Sequence, residues 1–170
     1  MLSPTELLIL ALISNGQGRT LYALQKETLL SAGAVFPALA KLKDKGLLKP
    51  EPLGPRQRQQ FRVSPGVLQK MAAIWRSSAH DHISDCDAVL KLCKAAEIFD
   101  LSEAVEYAHS AAGLRASELR KYTNRDGKIE PPKVDFVSYR SYRDVARFYQ
   151  LQAEEHVLRA VEAALRTDML

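Results

Sequence analysis

The residues of this sequence that could do metal or redox chemistry lie in one stretch: His80, Asp81, His82, Asp85, Cys86 and Cys93. His82 and Cys86 are four apart, so on a continuous helix they share a face and offer two ligands of the kind that zinc, copper or nickel accepts. Two ligands do not close a site. A closed site needs about four, and the rest would come from Cys93 or from another helix or chain. The same residues read equally as packed positions on a helix seam, with His80 at the surface, and that reading expects no metal and no cofactor. Cys86 and Cys93 are seven apart, roughly 10 Å along a helix at 1.5 Å per residue, too far to bridge within one chain. As nucleophiles they lack a glycine-rich turn or an oxyanion-forming loop beside them, and no phosphate-binding glycine motif or paired-carboxylate cleft can be named. No enzyme is expected.

The second kind of chemistry is cationic. Residues 1–76 hold 11 Lys/Arg against 4 Asp/Glu, about +7, whereas the remaining residues hold 13 against 16, about −3. A basic lobe joined to a mildly acidic one is the distribution expected when one half meets a polyanion. The cations concentrate in two short segments, Lys41, Lys43 and Lys45 in one and Arg56, Arg58 and Arg62 in the other.

Those segments are placed by simple local signals. Ser3-Pro4-Thr5-Glu6 predicts a capped helix start, and Leu7, Leu8, Ala11 and Leu12 its apolar face, up to the stop at Asn15-Gly16-Gln17-Gly18. Thr20 caps a second helix to about Leu29, with Leu21, Leu24 and Thr28 on one face and Tyr22 on another. A third runs to Lys45, and Pro37, tolerated only in a first turn, places its effective cap near Gly33. Leu47 to Pro52 and Gln60 to Val63 then read as extended, joined by a turn whose tip holds Arg56 and Arg58: a β-hairpin with a basic end. Ser64-Pro65 opens one long helix whose apolar positions, Leu68, Met71, Trp75, Ala79, His82, Cys86, Val89, Cys93 and Ala96, form a seam of about eight turns. Asp100-Leu101-Ser102-Glu103 reads as a second capping box for a helix to about Tyr122, residues 123–135 as a loop, and the last helix as running from Ser138 or Ser141 to Thr167. No apolar run reaches the ~18 residues needed to span a bilayer and no leader precedes the first helix, so a cytoplasmic protein is expected.

Three short helices and a hairpin are the order of a winged helix, in which the third helix enters the major groove and the wing touches flanking backbone. The expected fold class is mainly α, with a winged-helix DNA-binding domain over residues 1–66 and a helical dimerisation or effector region over 67–170. Ser31, at the start of the third helix, is the one hydroxyl placed to read a base or phosphate there, and Lys45 adds a cation at its end. Within this frame the segments Leu7-Leu8-Ile9-Leu10-Ala11-Leu12-Ile13, Thr20-Leu21-Tyr22-Ala23-Leu24, Gly33 to Leu42 followed by Gly46-Leu47-Leu48, and Arg58 to Gly66 resemble the PadR family of transcriptional regulators. The resemblance covers roughly the first 75 residues. Two positions depart from it: Leu21 where the family has glycine, and Phe36 where it has tyrosine, whose lost hydroxyl makes Phe36 a core residue by expectation.

The resemblance implies Tyr22, Lys41, Arg56 and Arg58 as DNA contacts, the C-terminal helices as a homodimer interface and a palindromic double-stranded operator; Trp75 has two readings, a platform for a small aromatic effector as in some relatives, or a packed core residue of the helix seam. The expected function is a homodimeric repressor, sequence-specific for DNA and released by a small molecule. Two alternatives remain open: a winged helix used for protein interaction without DNA binding, and a metal- or redox-responsive regulator using His82, Cys86 and Cys93.

Overall fold

The computed structural model describes residues 1–17, 20–51, 58–134 and 138–168. The first helix, α1 (Pro4–Ser14), opens on the expected capping box: Ser3 Oγ accepts from the Glu6 amide and Glu6 Oε2 accepts from the Ser3 amide, both at 3.2 Å. Every residue from Leu7 to Ile13 is buried. A helix that is apolar on all sides must be covered on all sides, and this requirement organises the molecule. Helices α2 (Leu21–Thr28) and α3 (Ala32–Asp44), with the antiparallel strands β1 (Leu48–Pro50) and β2 (Phe61–Val63), cover one side. Helix α5 (Cys86–Ile98) covers the other.

The strands pair Leu48 with Val63, Lys49 with Arg62 and Pro50 with Phe61. Their alternation sends Leu48 and Phe61 inward and Lys49 and Arg62 outward, so the wing's inner face joins the core while its outer face is basic. The fold is thus mainly helical, a winged helix followed by a helical C-terminal region.

The long eight-turn helix expected from Ser64-Pro65 does not form. A 3-10 turn at Leu68–Lys70 leads into α4 (Met71–Ala79), a second 3-10 turn follows at His80–His82, and α5 starts afresh with Asp85 as its cap, its carboxylate accepting from the Ala88 amide at 3.2 Å. Leu68, expected on the seam, is exposed. The physical reason is α1: folding back at residues 83–85 lets Val89, Leu92, Cys93 and Ala96 bury against it, each such side chain contributing up to roughly 1.5–3 kcal/mol that a straight helix would leave in water. The seam is therefore covered by its own chain, and its length gives no argument for a partner.

The capping box expected at Asp100-Leu101-Ser102-Glu103 is also absent. Ser102 has helical backbone angles and makes no side-chain cap, while Asp100 is left-handed (φ 56°). The amides of Asp100 and Leu101 donate to the carbonyls of Glu97 (3.1 Å) and Ala96 (2.8 Å), so this stretch closes α5 with a Schellman motif. Its residues end one helix before α6 (Glu103–Leu119) begins.

Helix α7 (Tyr139–Asp168) runs antiparallel to α6, as three cross-links show: Glu118 with Arg147 (2.9 Å), Arg115 with Glu154 (3.0 Å) and His109 with Glu162 (2.9 Å). Near the turn of this hairpin Leu119, Phe148, Leu151 and Tyr122 form a small second core. The main core is continuous from α1 to Leu158 and Leu165 of α7. No described helix is long and apolar enough to cross a membrane.

Candidate nucleic-acid interface

Helix α3 is where a winged helix meets a groove, and its two faces are sharply divided. Val35, Ala38, Leu39 and Leu42 point into the core. Ser31, Gly33, Phe36, Pro37, Ala40, Lys41, Lys43 and Asp44 are exposed. The helix starts two residues earlier than expected, with Ser31 as its cap and Pro37 inside it. Pro37 forfeits the bond to the Gly33 carbonyl, and Gly33 is on the exposed side of the helix. The Ser31 hydroxyl makes no capping bond, which leaves it available to an outside acceptor at the helix N-terminus, where anions are favoured.

The three lysines of α3 are not equivalent. Glu6, nearly buried at the start of α1, holds Lys45 Nζ at 3.1 Å and Lys41 Nζ at 3.8 Å, and Lys45 also donates to the Met1 carbonyl at 3.1 Å. Lys45 is thereby committed to tying α3 to α1. Lys41 stays 65% exposed in its side chain and keeps its charge at the surface, partly neutralised. Lys43 and Arg58 make no ion pair with any described residue. On the wing Arg62 is paired with Glu51, and Lys49 stands directly opposite Arg62. Arg56 lies outside the described residues.

Between α2, α3 and the wing lies a cleft of about 440 Å³ lined by Tyr22, Phe36, Leu39, Arg58 and Phe61 among others. Phe36 is 57% exposed and Tyr22 66%, which corrects the expectation that Phe36 is core: its ring stands at the rim of this cleft. Sequence reasoning missed the cleft because its walls come from three elements. It also missed Leu29, 91% exposed and left-handed at the end of α2, immediately before the third helix. Tyr22, Phe36 and Arg58 are brought together; Ser31, Lys41 and Lys45 lie along α3.

Trp75 is not available to a ligand. It is 3% exposed, its indole N–H donates to the Leu92 carbonyl at 2.8 Å, and its ring meets Tyr107 edge-on at 5.4 Å. This burial fits the reading of Trp75 as a core residue of the seam: it is the pin between α4 and α5. The shared-face argument for His82 and Cys86 fails with the helix break, since His82 ends a 3-10 turn and Cys86 begins α5. Among the described residues no group of three or more metal-ligating side chains comes together. Cys93 is buried, and desolvation pushes its thiol up to about 12.

The residue sequence reasoning missed most completely is Arg115, 2% exposed in α6. Its guanidinium donates to the carbonyls of Ile83 (2.6 Å), Ser84 (2.9 Å) and Ala111 (3.2 Å) and to Glu154 (3.0 Å). It holds the α4–α5 break against the α6–α7 hairpin. Nothing in the sequence pattern marks it, because its partners outside α6 lie 31 to 39 residues away.

Compared with models of known protein families, with characterised proteins and with solved structures, the chain gives no significant match.

Proposed function

We propose that this chain is a sequence-specific, double-stranded DNA-binding transcriptional regulator acting as a homodimer, in the manner of the PadR-type repressors that its first 75 residues resemble. The observation that carries the reading is the winged helix itself, with cations that make no ion pair with any described residue on both elements that such a fold turns toward DNA: Lys43 on α3 and Arg58 on the wing. Lys41, Tyr22 and Ser31 join them as backbone contacts. Direct readout by hydrogen bonds is thin, since Gly33, Phe36, Pro37 and Ala40 line the outer face of α3; apolar contacts and DNA shape carry more of the sequence preference.

A gel-shift with the protein's own upstream region at two salt concentrations tests this. Affinity is expected to fall with a log–log slope near −0.9 per phosphate contact. No shift at low salt favours the alternative, a protein-interaction module, which the apolar outer face of α3 and the commitment of Lys45 to Glu6 would suit. If a small aromatic effector releases the protein from DNA, the aromatic cleft at Tyr22, Phe36 and Phe61 is its place rather than Trp75.

A further inference from the structure

Along the outer side of α3 there is almost nothing that can hydrogen-bond. At 3.6 residues per turn, Gly33, Phe36, Pro37, Ala40 and Asp44 fall within one arc of about 100°, roughly opposite the buried Val35, Ala38, Leu39 and Leu42. All five are exposed. Single apolar side chains in water are ordinary, but from Gly33 to Ala40 this arc carries no polar side chain at all. Its one charge, Asp44, is the last residue of the helix. Phe36 dominates the arc: it is 57% exposed, and its ring stands at the rim of the cleft with Tyr22, Leu39 and Phe61.

The cations of α3 flank that arc. Lys41 lies just beyond Pro37 on one side and Lys43 just beyond Phe36 on the other, and both are exposed. An apolar centre between two cationic edges matches the cross-section of the DNA major groove, about 12 Å wide, with base edges on its floor and a phosphate strand along each side. The floor then decides which sequence fits. Guanine presents two acceptors there, O6 and N7, and cytosine an amino donor, whereas thymine presents one acceptor and its C5-methyl. Pressed against Phe36, Pro37 and Ala40, the polar edge of a G·C pair gives up water and gains no partner, which is unfavourable. The thymine methyl alone gains, because it leaves water for an apolar contact.

We infer that Phe36, together with Pro37 and Ala40, selects DNA half-sites by packing on the C5-methyl groups of thymine, so that the base pairs under the middle of α3 are A·T. The inference rests on the DNA-binding reading above and adds the base that is preferred and the side chain that reads it. Phe36 is then a specificity-determining residue. Lys41 and Lys43 seat the helix between the two phosphate strands without choosing the base.

Selection from a pool of random-sequence duplexes, followed by binding measurements on the enriched duplex, tests this. Enriched half-sites are expected to share thymines. Changing each thymine in turn to deoxyuridine removes a methyl and nothing else; at the contacted positions binding is expected to weaken about four-fold, the effect of roughly one buried CH2, and elsewhere to stay unchanged. Phe36→Ala, an exposed position whose replacement should leave the helical circular dichroism unaltered, is expected to bind the thymine and deoxyuridine duplexes equally. Half-sites without thymine, or equal binding of the two duplexes by the unsubstituted protein, overturn the methyl contact and leave the DNA-binding regulator standing. If Phe36→Ala keeps the full preference for thymine, the methyl acts through duplex shape and the assignment to Phe36 falls. Enrichment of no sequence overturns sequence-specific binding itself, and the inference with it.

Discussion

Replacing Arg115 by leucine removes one guanidinium and leaves four acceptors behind: the carbonyls of Ile83, Ser84 and Ala111 and the carboxylate of Glu154. The Ala111 carbonyl lies within α6 and keeps its helical donor, so the loss concentrates on the other three. Removing one partner of a buried ion pair costs about 3–5 kcal/mol, because the charge left behind stays desolvated. Glu154 is 17% exposed in its side chain, which places the expected loss near the lower end, about 3 kcal/mol. Against a total stability of roughly 5–15 kcal/mol this is a large fraction. With an m-value of about 2 kcal/mol/M in urea, the midpoint should move down by about 1.5 M. Trp75 is the only tryptophan and is buried between α4 and α5, so its fluorescence reports the transition directly. A second variant separates the charge from the packing: Arg115→Leu with Glu154→Leu removes the stranded carboxylate and should recover part of the loss. A midpoint shift below about 0.3 M for Arg115→Leu, or a double variant less stable than the single one, would refute the account of Arg115 as the strut of the α4–α5 break.

Four further outcomes are expected. Lys43→Ala should weaken duplex binding and reduce the salt slope by about 1, whereas Lys45→Ala, whose charge is spent on Glu6, should mainly lower stability; equal effects on binding would contradict the distinction. Trp75→Phe strips the bond to the Leu92 carbonyl and should cost about 1–3 kcal/mol in urea unfolding without altering DNA affinity. Cys93, buried with its thiol pushed up to about 12, should stay unlabelled by a thiol reagent at pH 8 until the protein unfolds. Glu162 feels desolvation that raises its pKa, but hydrogen bonds from Arg166, His109 and Arg159 outweigh it and hold the carboxyl at about 2, against an ordinary 4.5. Its contribution is fully present above pH 4.5 and lost as pH falls toward 2, so Glu162→Gln should flatten the acid limb of a stability–pH profile over that window.

The sequence by itself determined what depends on neighbours a few residues away. The Ser3–Glu6 box, the Thr20 cap, the hairpin between Leu48 and Val63 and the extent of α7 were legible because caps, turns and periodicity are local. So were the cations of α3, though not which of them are spent. Tertiary structure decided the rest. The 3.6-residue periodicity from Leu68 to Ala96 is the same for one long helix and for two helices folded back, and only the demand of α1 for cover on its second side chooses between them. Asp100-Leu101-Ser102-Glu103 has the composition of a helix start, yet the preceding helix claims it as an ending. The exposure of Phe36 and the burial of Trp75 follow from which elements close over them, and Arg115 gains its role from partners more than thirty residues away. Short-range signals name the elements. Where the chain must bury one helix on all sides, long-range packing decides how they are joined.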